Sequence, residues 1–174
     1  HMRNATHMIA FRVFAGMALP YGNSDYLPFE KGFFAGGANG MRGWTLRALG
    51  PGRFQEAGTQ SYDRMGDLQL EANAEFRFQI YNALRGAFFA DAGNIWLVRD
   101  NPLYPGGLFK WNSFARELAV DAGFGVRLDF TYFVFRLDAA LPLIDPGYPE
   151  GSRWMLPKAR FSDLVWNFGI GYPF

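Results

Sequence analysis

Between Asp67 and Ile80 apolar and polar residues alternate without a break: Leu68, Leu70, Ala72, Ala74, Phe76, Phe78 and Ile80 on one parity, Asp67, Gln69, Glu71, Asn73, Glu75, Arg77 and Gln79 on the other. A period of two puts successive side chains on opposite faces of a strand and does not fit a helix, whose faces recur every 3.6 residues. The pattern returns from Glu117 to Phe130, where Leu118, Val120, Ala122, Phe124, Val126, Leu128 and Phe130 oppose Glu117, Ala119, Asp121, Gly123, Gly125, Arg127 and Asp129. Weaker copies run from Ile9 to Leu19 opposite Arg12, from Leu84 to Ala92 opposite Arg85 and Asp91, and from Phe133 to Leu141 opposite Arg136 and Asp138. A last copy sets Leu164, Trp166, Phe168, Ile170, Tyr172 and Phe174 against Asn167, Gly169, Gly171 and Pro173. Six strands are expected, several longer than the five or six residues usual in globular sheets.

The links between them alternate in length. They are long after the first, third and fifth segments and tight at Tyr81–Ala83 and near Phe130–Thr131. Long and short loops therefore collect at opposite ends, the connectivity of an antiparallel up-and-down barrel of the outer-membrane type, with both ends of this chain on the periplasmic side. The apolar parity would face lipid and the polar parity a wet lumen, where a soluble sandwich would show a core and a solvated face. Six strands leave two edges unpaired, which hydrocarbon does not tolerate, so either further strands precede His1 or edges pair between copies. No apolar leader follows His1-Met2, and the chain is taken as the C-terminal piece of a larger barrel.

Composition narrows the chemistry. Of 174 residues none is Cys and two are His, and the net charge is +1. Disulfide scaffolds, thiol nucleophiles and zinc-thiolate sites are excluded, and nothing draws the chain to nucleic acid. No uncharged apolar run of about 18 residues is present to cross a membrane as a helix. The serines fall in loops or at a strand start, no GxSxG or phosphate-loop pattern occurs, and no Asp-rich spacing suits calcium. Neither catalysis, nor a metal, nor a cofactor is expected.

One loop does not read as a spacer. In Phe33-Phe34-Ala35-Gly36-Gly37-Ala38-Asn39-Gly40-Met41-Arg42-Gly43-Trp44 four glycines surround one arginine, so the backbone can fold compactly and present Arg42 on a rigid tip. The polar parities carry eight acids (Asp67, Glu71, Glu75, Asp91, Glu117, Asp121, Asp129, Asp138) against five bases (Arg12, Arg77, Arg85, Arg127, Arg136). A guanidinium brought in by the loop would find a carboxylate there and bind it in a bidentate fork.

The GGxxxxRGW stretch, with Gly36, Gly37, Arg42, Gly43 and Trp44, resembles the sixth-loop signature of the Omp85 superfamily of outer-membrane assembly and translocation barrels. Phe89-Ala90-Asp91-Ala92-Gly93 is similar to that family's FxDxG strand motif, and Glu75-Phe76 to the glutamate-aromatic pair of the preceding strand. The ending Trp166 to Phe174, with Phe168, Ile170 and Tyr172 between, resembles the C-terminal signal of such barrels. Leu19-Pro20-Tyr21-Gly22-Asn23-Ser24 and Asp91 to Trp96 look most like the TamL-type members of Bacteroidota. The resemblance implies a sixteen-stranded barrel with periplasmic domains, of which residues 1–174 supply the last six strands and the inward-folding loop 20–65. It implies that Arg42 pairs with Asp91 and Glu75, and that the strand Trp166 to Phe174 meets the first strand at a seam open to lipid. Function would then be assembly, insertion or translocation of outer-membrane or surface proteins without covalent chemistry. Lipids, client proteins and periplasmic or lipoprotein accessories would be the partners, and the outer membrane of a Gram-negative bacterium the location. A passive porin or structural barrel is the other reading, a soluble β-domain the third. Open edges would make the isolated piece dimerise.

Overall fold

The computed structural model describes residues 7–20, 27–55, 64–130 and 132–174. Tyr21 to Ser24 and Thr131, part of the readings above, lie outside the described residues. One antiparallel sheet holds six strands in chain order: β1 (His7–Met17), β2 (Leu68–Tyr81), β3 (Leu84–Trp96), β4 (Ala119–Asp129), β5 (Val134–Ile144) and β6 (Val165–Ile170). β2 and β3 are joined through Asn82-Ala83, where Asn82 takes a positive φ of 45° that an asparagine tolerates in a tight turn. The start of β1, the end of β6 and both tight links lie at the same end of the sheet.

Register turns alternation into rows. Ile9, Phe76, Phe88, Phe124, Ala139 and Trp166 pair in succession across all six strands, and the next row is Phe11, Ala74, Ala90, Ala122 and Leu141. Within the first row the Phe88 and Phe124 rings meet at a tilt of 55°, centroids 5.3 Å apart. Nothing among the described residues covers this face, and Ile9, Phe11, Val13, Phe88, Trp166, Phe168 and Ile170 are exposed.

The opposite face departs from the expected wet lumen. Glu71, Glu75, Arg77, Asp91, Asp121, Arg127, Arg136 and Asp138 are all buried, because the segment from Phe33 to Arg53 lies across them. Room for it comes from glycines. Phe89 lies over Gly123, Arg136 over Gly169, and Arg127 and Asp138 over Gly125, so a β-carbon at any of the three would collide with the side chain lying there. Large groups thus lie flat on the wall instead of standing into the space above it.

The last strand also differs. β6 ends at Ile170, six residues long, although alternation runs on to Phe174. Gly171 turns the chain at φ 89° and Pro173 can offer no ladder donor, so Tyr172 and Phe174 leave the apolar row. The Tyr172 hydroxyl donates to Asp129 Oδ2 at 3.0 Å, and the Arg77 guanidinium sits 4.4 Å from the Tyr172 ring while Nη2 donates to the Phe174 carbonyl at 3.2 Å. Arg77 is on β2, so the tail crosses the end of the polar face.

An uncovered face of this kind suits lipid. Replacing Ala74, in the middle of the alanine row, with arginine is expected to destabilise insertion into phospholipid vesicles by about 2–4 kcal/mol, read from reversible denaturant titrations.

Candidate functional site

The loop folds on itself before it meets the wall. Gly36 and Gly37 have φ of 104° and 89°, and a β-carbon on Gly36 would strike the Thr45 carbonyl. Gly37 N–H donates to the Trp44 carbonyl at 2.8 Å and closes the tip. Ala35, Met41, Trp44 and Leu49 form a small apolar core with Ile95 of β3 and Ala119 of β4. Gly43 presses on the wall so closely that a β-carbon would come within 2.5 Å of Asp121 Cβ.

That packing delivers Arg42 to its partners. Nε and Nη2 donate to Asp91 Oδ2 and Oδ1 at 2.8 and 2.9 Å, a bidentate fork, and Nη1 donates to Glu75 Oε2 at 2.8 Å. Asp138 Oδ2 lies 3.7 Å from Nη1, and the guanidinium stacks on Phe89 with Cζ 3.5 Å from the ring centroid. Burial disfavours the cation, yet Asp91 and Glu75 outweigh that cost and hold Arg42 above the ordinary arginine value. Glu75 Oε1 takes Arg77 at 2.8 Å and Arg127 at 3.1 Å, and Arg127 reaches Asp138 at 2.6 Å.

The structure therefore brings Arg42, Glu75 and Asp91 into contact, and it gives Phe89 and Gly93 physical parts. Phe89, Asp91 and Gly93 share a face at a spacing of two: the ring is stacked, the carboxylate is paired, and Gly93 leaves space that a β-carbon would take from Glu71 Cγ, 2.9 Å away. Trp44 is buried in the loop core. Trp166, Phe168 and Ile170 lie on the far face of β6, and Tyr172 and Phe174 on the polar side, away from the loop tip.

Several contacts had no signature in the sequence. Arg12 of β1 donates to the Asn39 carbonyl at 2.6 Å, and Arg136 of β5 donates to the Ala38 carbonyl at 2.9 Å and to Asn39 Oδ1 at 2.7 Å. Asn73 donates to the Gly40 carbonyl at 3.1 Å, Gln69 to the Phe34 carbonyl at 3.1 Å, and Asn167 to the Arg42 carbonyl at 2.9 Å. Farther out, Glu117 holds Trp96 Nε1 at 2.7 Å and Arg53 Nε at 3.2 Å. Among the described residues no group of three or more His, Cys, Asp or Glu is arranged to hold a metal ion.

An arginine-bearing loop seated on the charged face of a long-stranded antiparallel sheet, whose other face is apolar and uncovered among the described residues, is consistent with part of a β-barrel. The sequence profile of the Omp85 superfamily domain matches residues 2–174, and the chain belongs to that superfamily. It is 31% identical over 127 residues, 62% of this chain, to the outer membrane protein assembly factor BamA of Neisseria meningitidis serogroup B, and it spans 16% of the length of that relative.

Removing one partner from a buried ion network leaves a charge without compensation. Arg42→Ala is expected to cost about 3–5 kcal/mol, and Arg42→Lys less, because it keeps the charge and loses the fork. Protease resistance of the 36–44 segment in the full-length protein checks the order. At the long-loop end, burial pushes the Asp145 carboxyl up, against the Gly147 N–H, Arg64 and Trp44, which favour the anion. A raised folded value stabilises the turn below the ordinary carboxylate range and loses that contribution as pH rises through it. Cleavage within 145–151 should therefore slow as pH falls from about 7 toward 4, and an Asp145→Asn variant should lose the dependence.

Proposed function

We propose that this chain is the closing part of an outer-membrane barrel that assembles, inserts or translocates outer-membrane or surface proteins by templating their strands at a seam, without covalent chemistry. Superfamily membership supports the class at a coarse level, and the similarity to an assembly factor points to insertion. The observation that carries the reading is the seat of Arg42 on Asp91 and Glu75, a buried pair between segments 49 and 33 residues apart. An ion pair set in a lumen wall holds a loop inside a barrel, which a barrel with only a structural task does not require.

In this reading the whole protein has periplasmic domains and a closed barrel of sixteen strands, and it sits in the outer membrane of a Gram-negative bacterium. The wording around Leu19 and Asp91 favours a TamL-type member. β6 forms one side of the seam. Its six residues and single neighbour β5 make it the least anchored strand, and Gly169 contributes no packing of its own. A client strand would pair with its open edge by β-augmentation, the free energy coming from strand pairing and burial in lipid. Lipids, clients and periplasmic or lipoprotein accessories are the partners.

The test is Arg42→Ala in the full-length protein reconstituted in vesicles with an outer-membrane client. Client assembly is expected to slow about tenfold or more while the barrel itself stays inserted, in line with loss of a buried charge pair. Altered conductance with unimpaired client assembly would favour the passive porin.

A further inference from the structure

We infer that Asn167 is a positioning residue that couples the last strand to the seating of the loop. The inference deepens the proposed function, since it rests on β6 being the strand exchanged at the seam.

Three residues of the loop tip gather bonds from both edges of the sheet. Arg12 of β1 and Arg136 of β5 converge on Asn39, Asn73 of β2 holds the Gly40 carbonyl, and Asp91 of β3 holds the Arg42 side chain. From β6, Asn167 Nδ2 donates to the Arg42 carbonyl at 2.9 Å across a sequence separation of 125 residues. Arg42 is thus held from two directions, its guanidinium by β2 and β3 and its carbonyl by β6.

For β6 this bond has unusual weight. Trp166, Phe168 and Ile170 face away, Gly169 carries no side chain, and Val165 is apolar, so among the described residues Asn167 is the strand's polar side chain on the loop side. Asn167 is buried, and a buried amide that loses its acceptor forfeits more than the net value of the bond. Withdrawal of Arg42 removes that acceptor and loosens β6. By linkage the reverse must hold to the same degree: loosening β6 at Asn167 weakens the seat of the loop. A second contact runs in parallel, since Arg42 and Arg77 both donate to Glu75, and Arg77 holds the Phe174 carbonyl beyond the strand.

Deuterium exchange on the full-length protein in lipid nanodiscs reads both ends of the coupling. Asn167→Ala is expected to speed exchange in peptides covering 165–170 and also in those covering 36–44, by about fivefold each. Arg42→Ala should speed 165–170 to a similar degree, and the double variant should go no further than the larger single. Asn167→Gln, which keeps the amide donor, should restore much of the protection. Phe168→Leu, on the opposite face of the same strand, keeps the Asn167 bond and should leave 36–44 unchanged. An unchanged 36–44 segment in Asn167→Ala, or additive effects in the double variant, overturns the coupling. If Asn167→Ala does not insert, Arg42→Ala decides alone, and unaltered exchange across 165–170 overturns it. Client assembly is measured separately, so loss of the coupling and loss of the assembly role are told apart.

Discussion

A guanidinium buried on one face of a sheet needs opposite charge at hydrogen-bonding distance, and most of this structure can be understood as the means of supplying it. Glu75 and Asp91 meet Arg42 directly and Asp138 lies 3.7 Å from it, while Arg77, Arg127 and Arg136 reach Glu75 or Asp138 from the sheet. The loop's cation is the one that ion-pairs with Asp91, and desolvating that carboxylate without it would be costly at the dielectric of a covered wall. The loop is therefore more than a cover, because its charge makes a dry polar wall possible. The glycines at 123, 125 and 169 complete the arrangement sterically, letting long side chains lie down so that a folded segment fits above them.

Much of this was legible in the sequence because strands impose a rigid period. Alternation located all six strands and assigned their residues to faces as far as Ile170, and loop lengths assigned each connection its end. The spacing Phe89, Asp91, Gly93 is itself a strand signature, three successive positions on one face, so the motif and the fold carry the same information. The pairing of Arg42 with Asp91 and Glu75 could be named in advance from the family resemblance, while the excess of acids on the polar parity said only that a carboxylate would be at hand.

What was not legible has equally physical causes. The amides of Gln69, Asn73 and Asn167 and the guanidinium of Arg136 bind backbone carbonyls of the loop. A carbonyl is present at every residue, so no sequence pattern marks the partner. The polar parity was expected to be wet, since charge alternation describes a face and not what lies over it. The end of β6 was misplaced because Tyr172 and Phe174 keep the parity of Trp166, Phe168 and Ile170, while the left-handed turn at Gly171 ends the pattern without any change in hydropathy.

The division of labour within Glu75 bears on how the loop can leave. Its two oxygens serve different masters: Oε2 faces Arg42, whereas Oε1 is held by Arg77 and Arg127, both rooted in the sheet. Asp91 likewise keeps the Asn73 amide at 3.0 Å when the fork is gone. The vacated socket is thus a partly neutralised, prearranged cradle in place of a bare pair of anions. Such a cradle carries less uncompensated charge once the guanidinium is gone, which is what the proposed function would ask of a loop that leaves and returns.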